Sequence, residues 1–287
     1  MSGSEYRDDA GITGSGKLGG GEYGVLTVSG SGRITGDVVA NKVSVAGSGT
    51  FDGSLEAEKV EVTGKCEVEK NLKAEELIIR GSLKVKGGLN AGVLRSYGAL
   101  DVAHWIKSDK IYFAGSSEVN GDVECESFQS RGSFSIEGLL SADSVDIWLG
   151  SENDAREIGG EKIKIRKKGV SKAIDEEKVR SGLKSVERGM DKLGEKLGFD
   201  VTFDEEKISS GVTKFTKKVD NYISEFSKGS LKSSLIEGDI LKLEGVEAGT
   251  VRGTDVSVGE DCLIDKVEFS DTLEVSEAAE VGEREEI

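Results

Sequence analysis

VSVAGSGTFDGSLEAEK (residues 43–59) runs directly into VEVTGKCEVEKNLKAEE (60–76). Laid one over the other, the two segments place Val43 on Val60, Val45 on Val62, Gly47 on Gly64, Phe51 on Val68, Leu55 on Leu72 and Ala57 on Ala74. The match extends in both directions. In rows of 17 from Leu26, the first column reads Leu26, Val43, Val60, Leu77, Leu94, Ile111 and Phe128. Column five is Gly30, Gly47, Gly64, Gly81, Gly98, Gly115 and Gly132. Column nine is Ile34, Phe51, Val68, Val85, Val102, Val119 and Ile136, and column thirteen is Val38, Leu55, Leu72, Leu89, Ile106, Val123 and Leu140. Column fifteen is small: Ala40, Ala57, Ala74, Ala91, Ser108, Cys125 and Ala142. Column eleven is mostly glycine, interrupted by Lys70 and His104.

Within each row apolar and polar residues alternate, which is the period of a strand and not of a helix. A row of this length is too short for a strand plus a helix. It fits one coil of a parallel β-helix, three short strands joined by tight corners. The fold class read from the repeat is therefore an all-β solenoid, whose handedness the repeat does not fix. The glycine column is expected to supply positive φ at a corner. The small column is expected to mark a tight place where stacked coils admit little more than Ala.

The repeat breaks after Ala142. The row from Val145 is one residue longer, Ile163 and Ile165 start another coil, and a basic run follows at Lys162, Lys164, Arg166, Lys167 and Lys168. The period then changes. Val179, Leu183, Val186, Met190, Leu193 and Leu197 are spaced 4, 3, 4, 3, 4, and Ile208, Val212, Phe215, Val219, Tyr222 and Phe226 repeat that spacing. Two heptad-like stripes predict an α-helical hairpin inserted into the rod, packing through these residues. From residue 231 the strand pattern returns, with Val246 and Ala248 assigned to columns thirteen and fifteen, and Val267, Phe269, Leu273 and Val275 to columns one, three, seven and nine. The expected organisation is a flexible N-terminal segment (1–21), a first β-helical part (22–170), the hairpin insertion (171–230), the last coils (231–281) and an acidic tail (282–287). About 11 coils would give a rod of roughly 50 Å at the spacing of stacked strands.

Composition narrows the function. The 287 residues hold 40 glycines, no proline and 6% aromatics, so the core is aliphatic and narrow. The net charge of −16 argues against nucleic acid as a partner, because phosphate binding needs a basic face. Residues 236–287 alone carry 4 Lys+Arg against 16 Asp+Glu. Cys66, Cys125 and Cys262 are far apart and odd in number, which fits neither a zinc site nor a disulfide framework and suits a reducing cytoplasm. The polar, glycine-rich start has no apolar segment of the kind a signal peptide needs, and no run of about 18 apolar residues appears.

The 17-residue coils, as in GTFDGSLEAEKVEVTG (49–64), together with EIGGEKIKIRKKG (157–169) and VRGTDVSVGEDCLIDKVEFSDTLEVSEAAEVG (251–282), resemble the bactofilins, the polymer-forming cytoskeletal proteins. The resemblance implies a right-handed, three-sided β-helix. It also implies end-to-end polymerisation without a nucleotide, often next to a membrane. The segment 171–228 lies outside the resemblance, and the short N-terminal membrane-targeting motif of some members is not evident.

Chemistry finds little support. β-Helical acyltransferases use coils of about 18 and a catalytic histidine, and the β-helical carbonic anhydrase needs three histidine ligands. Here His104 is the sole histidine and reads as a corner residue. Carboxylates alternate with lysines, as at Glu67, Glu69, Lys70 and Lys73, and read as solvated strand faces. No phosphate-loop motif is present. The reading is a non-enzymatic scaffold with no catalytic, cofactor or metal site. Its expected partner is itself, through Leu26 and Val28 at one end and Phe269, Leu273 and Val275 at the other, with other scaffold or membrane-associated proteins as further candidates. Its expected location is the cytoplasm, close to a membrane if the basic run 162–168 touches an anionic surface. The alternative is a monomeric β-helical module that displays the hairpin to a protein or membrane partner.

Overall fold

Three ladders of stacked strands carry the chain through about 13 turns in the computed structural model, which describes residues 7–167 and 229–287. The 19 strands form one parallel system, and no helix occurs among the described residues. Face A stacks residues 10–12, 26–28, 43–45, 60–62, 77–79, 94–96, 111–113, 128–130, 145–147, 163–165, 241–243, 256–258 and 273–275. Face B holds columns seven to nine and face C columns thirteen to fifteen, each in the same one-coil register. At about 4.8 Å per turn the solenoid is roughly 60 Å long, more than the 11 coils legible in the repeat.

The alternation has a direct energetic cause. Each inward position is fully removed from water by the coils above and below it. Leu26, Val43, Val60, Leu77, Leu94, Val85, Val102 and Val119 are all completely buried. A side chain of this size contributes about 1.5–3 kcal/mol when buried. The few aromatics of the core cluster in adjacent coils, Phe113 against Phe128 at 5.5 Å and Phe128 against Phe134 at 5.4 Å, both edge-on. Ser96 and Ser130 lie one coil before and after Phe113 in column three, where other coils carry Val or Ile. Their small side chains leave room for the ring, and their buried hydroxyls find no partner.

The glycine column is explained by contact rather than by positive φ. Among the described residues only Gly21, Gly36 and Gly245 have left-handed φ within the glycines, and none is one of the column-five glycines from Gly30 to Gly132; Gly245 stands at the equivalent corner of the coil from Leu241. Instead, a Cβ on Gly47, Gly64, Gly81, Gly98, Gly115 or Gly132 would sit far inside van der Waals contact of the carbonyl oxygen of the column-five glycine one coil earlier. The corners stack so closely that only hydrogen fits. The polar corner between faces B and C is braced differently: Asp37 Oδ1 accepts the Ser54 N–H at 2.7 Å, Asn71 Oδ1 that of Gly88 and Asp122 Oδ1 that of Leu139, both at 2.9 Å. The Ser54 N–H holds the Asp37 carboxyl below its usual value, with Lys70 adding to the effect.

Three sequence expectations change. The N-terminal segment is not all loose chain: the strands Ala10–Ile12 and Ser15–Val28 form the first coil. The charged stretch from Gly282 lies within the strand Glu280–Glu286, which pairs with Leu263–Phe269 and extends the solenoid. The column assignments after the insertion are displaced by one face. Val246 and Ala248 pair with Leu231 and Ser233 on face B, while Val267 and Phe269 stand on face C and Leu273 and Val275 on face A. The cause is coil length: Leu241 stacks on Val256 after 15 residues, so a phase carried forward at 17 drifts. The hairpin and its packing residues, from Val179 to Phe226, fall in 168–228, outside the described residues.

Candidate assembly interface

Face A ends in an apolar rung on each side. Leu26 and Val28 do not form the first one. Both are fully buried, because Ala10 pairs over Leu26 and Ile12 over Val28. The first rung is therefore Ala10 and Ile12, which pair on one side only among the described residues; Ala10 is half-buried and Ile12 is 8% exposed. At the other end Leu273 and Val275 pair only with Val256 and Val258, and both stay half-buried against the core. Phe269 is also half-buried, but the strand Glu280–Glu286 lies over its coil, with Glu286 opposite Phe269. A terminal rung of this kind leaves backbone N–H and C=O groups facing outward. Ala10 and Ile12 were missed in the sequence because the coil they start is short and polar, and only its pairing to Leu26–Val28 reveals it.

The outer surface is laced by ion pairs one coil apart. On face A, Lys42 meets Glu61 at 2.8 Å, Glu61 meets Lys59 at 3.2 Å, Lys59 meets Glu76 at 2.9 Å, and Glu76 meets Arg95 at 2.9 Å. Lys42 and Lys59 hold the Glu61 carboxyl below its usual range. Lys73–Glu56, Lys86–Glu69 and Lys107–Glu124 repeat the device on the other faces. Each exposed pair contributes about 0–1 kcal/mol, so these ladders set register and solubility more than stability.

The basic run divides. Lys162 and Lys164 are exposed and unpaired among the described residues. Arg166 holds Asp146 at 2.6 Å and lies over the Trp148 ring at 4.1 Å. Lys167 reaches Asp261 at 2.6 Å, and Lys168 is outside the described residues. Arg131 covers Trp148 at 5.6 Å, and Arg80 stands 6.0 Å from the Tyr97 ring. Arg80, Tyr97, Arg131, Trp148 and Arg166 all lie in outward column four, a mixture of arginine and aromatic that the row alignment already contains.

Burial pushes the Cys66 thiol up to about 12 and that of Cys125 to about 12, so neither is a ready nucleophile. No group of His, Cys, Asp and Glu suited to a metal ion occurs among the described residues, and no helix there is long and apolar enough to cross a membrane. His104 sits at the corner between faces B and C, where its carbonyl would crowd a Cβ on Gly121.

The first stacked coils decide the relationship. Residues 5–90 match the model of the bactofilin family, described as polymer-forming cytoskeletal. The match covers the terminal rung Ala10–Ile12, the glycine ladder up to Gly81 and the start of the ion-pair ladders, and the later bactofilin-like coils continue the same three faces. A curated relative, the uncharacterized protein YhbE of Bacillus subtilis (strain 168), is 50% identical over 40 residues, which is 14% of this chain and 17% of that protein. The match thus spans about a sixth of the relative's length. No solved structure matches. A polymer-forming cytoskeletal family supports a structural role and self-association.

Proposed function

We propose that this chain is a cytoskeletal scaffold that assembles end to end, without a nucleotide and without chemistry of its own. The observation that carries this reading is the pair of open apolar rungs, Ala10 with Ile12 and Leu273 with Val275, on the same face at opposite ends of one parallel ladder. Setting one rod on the next continues face A at the spacing of any sheet. It satisfies the outward backbone groups and covers the terminal side chains. The polymer-forming description of the matched family points the same way. Because the junction is made of backbone and aliphatic groups, assembly needs no energy source beyond burial and hydrogen bonding. The inside of the cell is the setting a cytoskeletal polymer implies.

Negative-stain microscopy of the purified chain without nucleotide tests this. Filaments are expected from the native sequence. Val275→Arg is expected to leave single folded rods, since stacking would trap a charge between coils. Single rods from the native chain at every concentration, or filaments only after nucleotide is added, would contradict the reading. Single rods would favour the monomeric binding module instead.

A further inference from the structure

The chain is strongly acidic, yet the outside of face A is not. Among the described residues, Arg80, Lys110, Arg131, Lys162, Lys164 and Lys242 are exposed on or beside this face and take part in no ion pair. Register sets Lys164 beside Lys242 on neighbouring rungs. Two like charges at rung spacing are unfavourable in an isolated rod. Apolar surface is interleaved with them: Tyr97 is 48% exposed, Ile240 is 38% exposed, and Tyr112 and Trp148 are partly exposed. The ion-paired ladder Lys42–Glu61–Lys59–Glu76–Arg95 covers the earlier rungs, so the unpaired cations are concentrated from Arg80 onward.

The opposite charge lies along the border between faces C and A. There Glu58, Glu75, Asp109, Glu126, Asp143, Glu161 and Asp239 each precede a face A rung. All are exposed, and none joins an ion pair among the described residues. Asp109 to Asp239 form an unbroken series of five rungs. Face A is thus flanked on one side by an acidic edge, in which Lys110 and Lys162 stand next to Asp109 and Glu161, while its outer surface carries Lys164 and Lys242 and its other edge Arg80, Arg131 and aromatic groups.

We infer that the cation-rich part of face A, from Arg80 to Lys242, docks the acidic edge of a second copy lying alongside it. Charge complementarity selects this occupant, because a second copy supplies uncompensated carboxylates at the same axial repeat as the cations. The geometry also sets the arrangement. A twofold axis parallel to the two rods lays the acidic edge of each over the basic side of the other. The rods are then parallel and in register, with Glu75 of one facing Arg80 of the other, and Glu126 facing Arg131. An isologous contact makes each pairing twice. A strip of seven rungs about 30 Å long at strand spacing is comparable in extent to a small protein interface. The contact is lateral and does not need end-to-end stacking.

Charge reversal tests it on the full chain. Filament or rod width in the microscope, together with sedimentation velocity, reads lateral pairing, while particle length along the axis separately reads end-to-end assembly. At about 50 mM salt, Arg80→Glu and Glu75→Arg are each expected to weaken pairing at least about tenfold, and the two combined on one chain to restore it. Arg131→Glu with Glu126→Arg gives a second, independent swap. Circular dichroism checks that each variant stays folded. Pairing in the native chain is expected to fall away at about 500 mM salt. Absence of pairing at low salt, pairing indifferent to salt, or failure of both swaps to restore it overturns the inference. So does a face A that binds anionic vesicles or nucleic acid, with that binding lost on Lys164→Glu, while the rods never pair.

Discussion

The coils between Leu26 and Ala142 and those from Val145 onward keep one cross-section by different means. In the first region every coil is 17 residues, and the corner after face A is a glycine pressed against the carbonyl of the glycine before it. In the second the coils vary: Val145 stacks on Ile163, but Leu241 stacks on Val256 after only 15 residues. The equivalent corners there are Gly150, with nothing near its Cβ position, and Gly245, at φ +65. Asp261 adopts φ 56 in the next coil. The strands are conserved in register while corner length and corner conformation are free. Column identity is therefore a property of stacking, and constant length is one way to achieve it.

Substitutions can break that contrast. The largest effect is expected where the two regions are alike, in the core. Val85→Asp buries an unpaired charge and should cost several kcal/mol, whereas exposed Lys84→Ala, which loses only its pair with Asp101, should cost under about 1 kcal/mol in denaturant unfolding. Next come the corners, where the regions should part. Gly81→Ala forces a Cβ into the Gly64 carbonyl and should cost more than about 3 kcal/mol. Gly245→Asn keeps a residue that tolerates left-handed φ, and its Cβ meets only the flexible end of Lys167 at 2.8 Å and Leu149 at 3.1 Å, so about 1 kcal/mol is expected. Equal losses at the two corners would remove the distinction.

Smaller effects sharpen it. Ser117 is buried in column seven on face B with an unpartnered hydroxyl, so Ser117→Ala should be neutral or stabilising by up to about 1 kcal/mol in the same unfolding assay. The smallest effect is that of pH. Lys42 and Lys59 depress the Glu61 carboxyl, and Lys266 and Arg252 depress that of Glu268. Both folded values lie below the unfolded one, so their contribution is present above about pH 4.3 and fades as pH falls through the folded values. Both groups are partly exposed, so solvent screens the pairs and the melting temperature should drop only slightly between about pH 5 and pH 3. Lys42→Ala should flatten that slope if the ladder causes it.

The regular region was legible because every coil repeats the same steric demand in the same column. Leu26, Val43 and Val60 through Phe128 marked face A from the alignment alone, and column thirteen marked face C. The cause of the glycine column was not legible, since a crowded corner and a positive-φ corner select the same residue. The first coil was hidden because Ser15–Val28 is rich in glycine and polar residues in its first half. After the insertion, Val267 and Leu273 have the right character for several columns, and only pairing decides between them. Of the proposed interface, the sequence offered Leu273 and Val275 as candidates, while Ala10 and Ile12 became candidates only once the ladder showed that they cover Leu26 and Val28.

The central claim is that rods join by continuing their ladders through the terminal rungs. Diffraction from aligned filaments, or cryo-electron microscopy of single ones, measures this directly. The account predicts strands perpendicular to the filament axis, with an axial repeat of about 4.8 Å that runs unbroken across every junction between subunits. Filaments in which the rods lie across the axis, or junctions where that repeat is interrupted, would contradict it.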